Sequence, residues 1–402
     1  MTGTVYCGRL ISEVNVTTKS YRIPLFCLVT GLYWFSLYTY VPTLPTYARG
    51  LGAPYALIGL IVGAYGFTQM LLRIPLGILS DRLNKRRIFI MLGLVLCFIS
   101  AFGMWIFKSP SMLLVFRAVS GAAAASWVIF TVLFSSYFVG TEAPRAIGFI
   151  SSVTSIGQML AIFIGGIAAQ MISPRAPFLL AFAGAAIALV LSFGLKENTE
   201  ARREPLKIAS LLSVARSPGL LFLSVLAIFS QYMTFSTIYG FTPVAARLLG
   251  ASDFQLGLLT TLSTMPGIFG AALSGSLFTK KLGERRTLVY GYAISAVTCF
   301  IIPFHNSMPQ LYISQIIGGF CLGTVFPLLM GMCIKNVKDS MRATAMGFFQ
   351  AIYGIGMFIG PMVVGFLSDT AGMSWGFWTT GLTGLAAAVV SFKFVNSSRA
   401  QI

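Results

Sequence analysis

Two arginines interrupt otherwise apolar stretches of this sequence, and they are its most unusual candidates for chemistry. Arg117 lies in the stretch 113–130, LLVFRAVSGAAAASWVIF, and Arg73 lies in the apolar stretch 55–80. A guanidinium stays protonated and presents donors that match a carboxylate or a phosphate. A charged side chain at the centre of a membrane-spanning helix costs about 3 kcal/mol or more. Residues of this kind therefore mark a candidate functional site.

A second group of candidates consists of aromatic and glutamine residues inside apolar stretches. Buried Tyr and Gln side chains need hydrogen-bond partners, which a water-filled cavity supplies. Helical geometry places residues 232, 236 and 239 on one face, and residues 350 and 353 on another. Tyr40 and Trp375 lie near stretch ends and are predicted to be interfacial aromatic residues instead. We predict a cavity lined by Arg117, Tyr33, Trp34, Tyr38, Gln158, Gln231, Tyr232, Tyr239, Gln315, Gln350 and Tyr353.

The acidic residues are informative because none of them lies inside an apolar stretch. All ten fall in predicted loops or tails, and the single histidine, His305, also lies in a loop. A buried carboxylate is the usual proton carrier in membranes, and an enzyme would need paired acids or a histidine cluster. The six cysteines include no CxxC pair. We therefore predict no enzymatic activity, no metal and no cofactor.

The composition identifies an integral membrane protein. Of the 402 residues, 56% are hydrophobic and only 9% are charged, whereas about a quarter of the residues in a soluble protein are charged. Apolar stretches long enough to cross a hydrocarbon core of about 30 Å as helices recur along the chain. We predict an all-α fold with twelve spans, at residues 23–46, 55–80, 88–107, 112–138, 147–172, 176–195, 219–246, 254–279, 287–304, 310–334, 344–367 and 376–395.

The basic residues predict how these spans are oriented. With the N-terminus in the cytoplasm, 22 of the 28 Lys and Arg residues lie in cytoplasmic segments and four lie in outer loops. This bias follows the positive-inside rule and predicts that both termini are cytoplasmic. The net charge of +18 then indicates contact with anionic lipid rather than with nucleic acid.

The two halves of the chain resemble each other at an offset of about 198 residues. LGAPYALIGL (51–60) matches LGASDFQLGL (249–258), Arg117 matches Gln315, and Gly121 matches Gly319. Such a duplication predicts two six-helix bundles with a cavity at their seam. The predicted organisation is a tail at 1–22, bundles at 23–195 and 219–395, a cytoplasmic linker at 196–218 and a tail at 396–402.

The loop between spans 2 and 3 carries a compact charged motif, GILSDRLNKRR (77–87), which includes Arg82 and Arg86. Gly77 is predicted to permit close helix packing at the end of span 2. Asp81 can pair with an arginine or a helix N-terminus across the seam, and such a bond can break when the halves move. A polar turn with positive-inside residues is the alternative interpretation.

Together these motifs resemble a twelve-helix member of the major facilitator superfamily. GILSDRLNKRR is similar to that superfamily's loop 2–3 motif, with Asn84 where the pattern usually has glycine. Three further segments resemble the drug:proton antiporter branch. They are PTLP (42–45), RAVSG (117–121) and GQMLAIFIGG (157–166). In the last of these, Gly157, Gly165 and Gly166 match the motif, but Ala161 and Ile162 replace its Gly-Pro pair. The segment GMFIGPMVVG (356–365), with Gly360 and Pro361, is a better copy of the same motif.

The resemblance implies alternating access and export of a small amphipathic compound in exchange for protons, by a monomer in the plasma membrane. The residues also favour an alternative, a facilitator or exchanger for anionic or zwitterionic metabolites or lipids. If protons are coupled, Asp81 is the nearest carboxylate. Arg73 either extends to the cytoplasmic surface or faces the interior. Arg117 either bonds backbone carbonyls between spans or contacts the substrate.

Overall fold

The computed structural model describes residues 21–138, 142–197, 217–335, 337 and 341–395, and its regular structure there is entirely helical. Helices occupy all twelve predicted positions. Spans 1 to 6 are Arg22–Tyr38 with Leu44–Gly50, Tyr55–Leu83, Arg86–Ile106, Pro110–Ala125 with Trp127–Ser135, Glu142–Met171, and Ala176–Ser192. Spans 7 to 12 are Pro218–Ser236 with Thr237–Phe241 and Thr242–Leu248, Asp253–Leu273 with Ser274–Phe278, Thr279–Ile301 with Ile302–Phe304, Met308–Lys335, Arg342–Thr370, and Met373–Phe394.

The lengths of these helices fit a membrane protein with multiple spans. Within the described ranges, nine helical segments combine the length and apolar composition needed to cross a bilayer. Arg22–Tyr38 and Ala176–Ser192 are apolar but only 17 residues long, the short end of the spanning range. Nearly all of the predicted tails and most of the predicted linker lie outside the described residues, so those boundaries stay predictions.

Two spans contain a π-helical segment. Span 7 widens at Thr237–Phe241, and span 8 widens at Ser274–Phe278. A π turn holds more residues than an α turn, so side chains beyond it face a different direction from the one that α-helical spacing predicts. Such segments occur often at functional sites.

The helices pack in a two-fold repeated pattern. Span 1 contacts spans 5 and 6 as span 7 contacts spans 11 and 12, and span 2 packs on span 4 as span 8 packs on span 10. Between the halves, span 2 packs on span 11 and span 5 packs on span 8. These two pairs form the seam that the sequence repeat predicted.

Glycines bring the two halves into backbone contact at one end of the seam. We call this end, which the charge distribution predicts to be extracellular, the outer end, and the opposite one the inner end. A Cβ added at Gly59 of span 2 would overlap the Pro361 carbonyl oxygen of span 11. A Cβ added at Gly166 of span 5 would lie 2.7 Å from the Gly257 Cα of span 8. Only glycine permits such an approach.

Other predicted glycines serve packing within a half. A Cβ added at Gly157 would lie 2.8 Å from the Gly31 carbonyl oxygen, and one at Gly360 would lie 2.7 Å from that of Tyr232. Added Cβ atoms at Gly121 and Gly165 would overlap the carbonyl oxygens of Tyr65 and Thr39, respectively. These positions hold neighbouring helices together, while their part in conformational change stays a prediction.

The prediction that Gly77 permits close packing against another helix is wrong for this conformation. A Cβ added there meets no atom within 4 Å, and the same holds for Gly148, Gly275 and Gly347 in the inner halves of the other seam spans. The physical reason is that spans 2 and 11 approach each other along their outer halves, around Gly59. The seam is therefore tight at its outer end and lacks glycine-mediated contact at its inner end.

The loop between spans 2 and 3 and its counterpart each contain a residue with a positive φ. Asn84 ends span 2 in the left-handed region at φ 51°, and Gly283, its equivalent in the repeat, has φ 79°. Asparagine tolerates this region better than most residues, which explains how it replaces the usual glycine. The Asp81 carboxylate lies 3.8 Å from the buried Arg86 guanidinium of span 3, in the same half. Arg82 of the same loop is exposed.

A pair of alanine substitutions in span 2 tests the packing of the seam. Gly59→Ala should lower the stability of the purified protein by about 1–3 kcal/mol, because the new methyl group overlaps the span 11 backbone. Gly77→Ala is the matched control and should leave stability equal or slightly higher, because alanine favours a helix. Thermal unfolding measures both, and equal losses would contradict the described seam.

Candidate functional site

Arg117 is buried in span 4, where two tyrosines surround its side chain. It is only 3% exposed. Its Nη1 donates a hydrogen bond to the Tyr40 hydroxyl at 3.2 Å. The guanidinium carbon lies 4.4 Å from the centre of the Tyr65 ring and 5.5 Å from that of Tyr40. Cation–π contacts stabilise a buried charge without neutralising it, so the site keeps its positive potential.

Arg73 of span 2 faces the interior and reaches across the seam. It is 3% exposed, and its Nη1 donates to the Tyr353 hydroxyl of span 11 at 3.0 Å. The alternative that it extends to the cytoplasmic surface is therefore wrong. Arg73 lies eight residues from Tyr65 on the same helix, about 12 Å along its axis. Arg117 therefore packs against Tyr65, whereas Arg73 lies about two helical turns closer to the inner end.

An aromatic cluster lies next to Arg117 and draws on both halves. Trp34 packs at 5.2 Å from Trp127 and 5.7 Å from Tyr38, measured between ring centres. Tyr38 lies 5.7 Å from Tyr239 of span 7. Tyr65 stacks on Phe235, also in span 7, at 6.2 Å. The cluster therefore offers broad apolar surface on both sides of the seam.

Several polar atoms in this region are buried without a hydrogen-bond partner. They are Arg73 Nε, Arg117 Nε, Trp34 Nε1 and Gln350 Oε1. An unpaired polar group in a low-dielectric interior costs free energy, so such groups usually bind water or a ligand. Three of the four are donors, which favours a ligand that accepts hydrogen bonds.

The acidic residues that form ion pairs lie at the two ends of the molecule. Among the described residues, the ion pairs are Asp81 with Arg86, Glu142 with Arg145, Glu284 with Lys335, and Asp253 with Arg247. None of these involves Arg73 or Arg117. His305 lies in an outer loop, where burial lowers its pKa and favours the neutral form.

The sequence model of the Major Facilitator Superfamily matches residues 26–244 and 224–401. Those two overlapping segments cover both halves of the described fold. The chain belongs to the Major Facilitator Superfamily. It is therefore a secondary transporter with a small-molecule substrate, and not an enzyme.

Two relatives are similar to this chain in sequence, and one solved structure shares its fold. The transporter is 24% identical over 363 residues to the uncharacterized MFS-type transporter MJ1560 of Methanocaldococcus jannaschii, over 87% of this chain and 92% of that one. It is 25% identical over 341 residues to the quinolone resistance protein NorA of Staphylococcus aureus, over 82% and 85% of the two chains. The nucleoside transporter NupG shares the fold at a TM-score of 0.79 and 13% identity, over 92% of this chain and 99% of that one.

The structure of the transporter brings together most of the predicted aromatic residues but separates one from them. Trp34, Tyr38 and Tyr239 lie in the cluster. Tyr353 accepts a hydrogen bond from Arg73. Tyr232 instead interacts with Thr383 of span 12. Tyr239 lies within the π segment Thr237–Phe241, so its direction relative to Tyr232 differs from the one that α-helical spacing predicts.

The remaining predicted cavity residues have mixed environments. Tyr33 is fully buried, and its hydroxyl donates to the Ala123 carbonyl at 2.7 Å, so it ties span 1 to span 4. Gln231 and Gln315 are buried at 8% and 4% exposure, while Gln158 is half-buried. For these three glutamines the role in substrate binding stays a prediction.

Sequence reasoning missed two residues that contact Arg117 and one buried polar residue of span 2. Tyr40, predicted to lie at the membrane interface, is 1% exposed and bonds Arg117. The break in span 1 that follows Tyr38 puts Tyr40 in the interior. Tyr65 and the buried Gln69 lie eight and four residues before Arg73. This helical spacing is the signal that could have identified them.

Removal of one hydroxyl tests how Arg117 is held. Tyr40→Phe keeps the ring under the guanidinium but removes its hydrogen bond, so stability should fall by about 1–3 kcal/mol. Tyr40→Leu should cost more, because it also removes the cation–π contact. Thermal unfolding of the purified protein measures both, and wild-type stability in both variants would contradict the described contacts.

Proposed function

We propose that the protein carries small amphipathic organic compounds with a negatively charged group across the plasma membrane by alternating access. The observation that carries this proposal is the pair of buried guanidinium groups with no carboxylate partner among the described ion pairs. An anionic group can bond the unpaired donors and offset the cost of the buried positive charge. The aromatic cluster supplies the apolar surface for the rest of the compound.

The charges disfavour cations at the same site. Two positive side chains in a low-dielectric environment repel a lipophilic cation, and no described carboxylate in the spans compensates for them. Zwitterionic compounds are compatible if their negative group reaches an arginine. Metallophore-like chelates, organic acids and anionic lipids belong to the same chemical class.

The packing of the seam supports a conformation open to the cytoplasm. In the proposed orientation, Gly59 and Gly166 close the extracellular end, and the cytoplasmic end lacks the equivalent contacts. In this state the arginine site would be loaded from the cytoplasm, as export requires. We propose that the protein acts as a monomer surrounded by lipid, with both termini in the cytoplasm.

Proton-driven export of drug-like compounds is the second candidate. The observation that favours it is the 25% identity to the quinolone resistance protein NorA. Its difficulty is that the carboxylates of the described spans lie at the ends of the helices, as Asp81 and Asp369 do, and not at their centres. Proton coupling would then have to act through carboxylates at the ends of the molecule, of which Asp81 is one.

A binding screen tests the proposed substrate class. Purified protein should be stabilised by an anionic or zwitterionic amphipath and not by its cationic analogue, and a ligand at one hundred times its Kd adds about 2.7 kcal/mol. Arg117→Ala should abolish this shift. Arg285→Ala is the matched control, because Arg285 lies 4.3 Å from the Phe392 ring at the inner surface and should leave the shift unchanged. A cationic ligand that is indifferent to Arg117 would overturn the proposal.

Counterflow in proteoliposomes separates the two candidates once a ligand is known. An exchanger or facilitator should show counterflow at equal pH on both sides, and an imposed pH gradient should not drive accumulation. Accumulation that follows the gradient and disappears with a protonophore would favour the proton-coupled exporter.

A further inference from the structure

Span 2 carries a buried stripe of side chains that runs from the Arg117 contact toward the inner end. Tyr65, Gln69 and Arg73 follow one another at intervals of four residues, which places them on one face of the helix. They are 1%, 5% and 3% exposed, respectively. Tyr65 packs on the Arg117 guanidinium, and Arg73 ends the stripe about two turns further along. The two buried arginines are therefore connected by one face of one helix.

The spacing along this stripe sets the separation of the two guanidinium groups. The guanidinium carbon of Arg117 lies 4.4 Å from the centre of the Tyr65 ring, and Tyr65 lies about 12 Å from Arg73 along the helix axis. Helical side chains lean toward the start of their helix, so Tyr65 and Arg73 lean in the same direction and keep most of this spacing. The two positive charges are therefore separated by on the order of 10 Å. One carboxylate group is too small to contact both.

Arg73 retains hydrogen-bonding capacity beyond its contact with span 11. Its Nη1 donates to the Tyr353 hydroxyl, while its buried Nε has no partner. A phenol that accepts a hydrogen bond keeps its own hydrogen, so Tyr353 can donate to an anion that binds beside Arg73. None of the ion pairs among the described residues involves Arg73. The Arg73–Tyr353 pair thus offers donors from both halves to an anionic group.

Aromatic side chains of span 1 lie between the Arg117 and Arg73 positions. Tyr38 interacts with Tyr65 and is close enough to both Arg117 and Tyr353 for electrostatic interaction. Trp34 packs on Tyr38 with 5.7 Å between the ring centres. These rings offer apolar surface along the path from one arginine to the other. A ligand that reaches both arginines therefore needs an apolar body between its two polar ends.

We infer that Arg73 and Tyr353 form a second anion-binding subsite, and that the substrate is an amphipath with two anionic groups, one at Arg117 and one at Arg73, on the order of 10 Å apart. Each buried guanidinium then receives its own counter-charge when the substrate binds. The second subsite rests on the proposed function, because it takes an anionic group at Arg117 as given. It narrows the substrate class from compounds with one anionic group to compounds with two.

A series of α,ω-dicarboxylates, from succinate to hexadecanedioate, tests the second subsite in the wild-type protein. Isothermal titration calorimetry at neutral pH measures their binding to the protein in nanodiscs, with empty nanodiscs as the blank. Affinity should be highest at an intermediate length, where the two carboxylates reach both arginines. The monomethyl ester of that compound keeps its length and apolar surface but has one charge. It should bind about ten- to a hundredfold more weakly, because it loses the charge-assisted hydrogen bonds at one end.

Substitutions then assign the second carboxylate to Arg73. Arg73→Gln should weaken binding of the dicarboxylate about ten- to a hundredfold and leave binding of the half-ester nearly unchanged. Tyr353→Phe should weaken the dicarboxylate by a smaller factor, about three- to tenfold, because a neutral hydroxyl contributes less. Arg117→Gln should weaken both ligands. Arg285→Gln is the control at the inner surface and should leave both unchanged.

Equal losses for the two ligands in Arg73→Gln would overturn the second subsite, as would a best dicarboxylate that binds no more tightly than its half-ester. The latter comparison uses the wild-type protein, so it stays decisive if Arg73→Gln does not fold. A half-ester that binds through Arg117, without any advantage for the dicarboxylate, would count against the second subsite alone. If neither ligand shows binding that depends on Arg117, the proposed function is overturned as well.

Discussion

Two positive charges are buried in this protein where hydrocarbon surrounds it, and no carboxylate in the described spans balances them. This is the constraint on which the rest of the site depends, because an isolated charge in a low-dielectric medium must find other stabilisation. Tyrosines provide it here. Tyr40 and Tyr65 hold Arg117, and Tyr353 holds Arg73 across the seam. A hydroxyl or a ring stabilises a guanidinium without cancelling its charge, so the positive potential remains available to a ligand.

Under the proposed alternating access, the same seam separates during transport. At the outer end, glycines such as Gly59 allow backbone contact between the halves, and side chains at the ends of spans 5 and 11 bond the first N–H groups of spans 8 and 2. Aromatic side chains also pack across the seam at this end, as Tyr55 does with Phe241 and Phe163 does with Phe254. The inner end, in contrast, lacks glycine-mediated contact around Gly77. The repeat within the chain explains why both sides of the seam use related contacts.

The repeat is also visible where the two sequences have diverged. Asn84 and Gly283 share a positive φ although their residue types differ: Asn84 ends span 2, and Gly283 lies at a kink near the start of span 9. Gln170 of span 5 and Asp369 of span 11, which bond the first N–H groups of spans 8 and 2, occupy related places but differ in charge. Arg117 and Gln315 differ in the same way at the centre of the two bundles. Divergence of this kind gives one half the charged groups of the site while the shared backbone geometry is kept.

The sequence alone determined the class of fold, the positions of twelve helices and the interior placement of Arg117, because apolar length and charge bias act locally along the chain. It did not determine which polar residues meet. A break in the helix after Tyr38 turns Tyr40 inward. A π turn that contains Tyr239 changes its direction relative to Tyr232, whereas α-helical spacing alone predicts that the two share a face. Whether Arg73 reaches water or the seam depends on where span 11 lies, and the hydrogen bond from the Tyr55 N–H to Asp369 joins residues more than 300 positions apart. Such contacts arise from the packing of one half against the other, which only the tertiary structure decided.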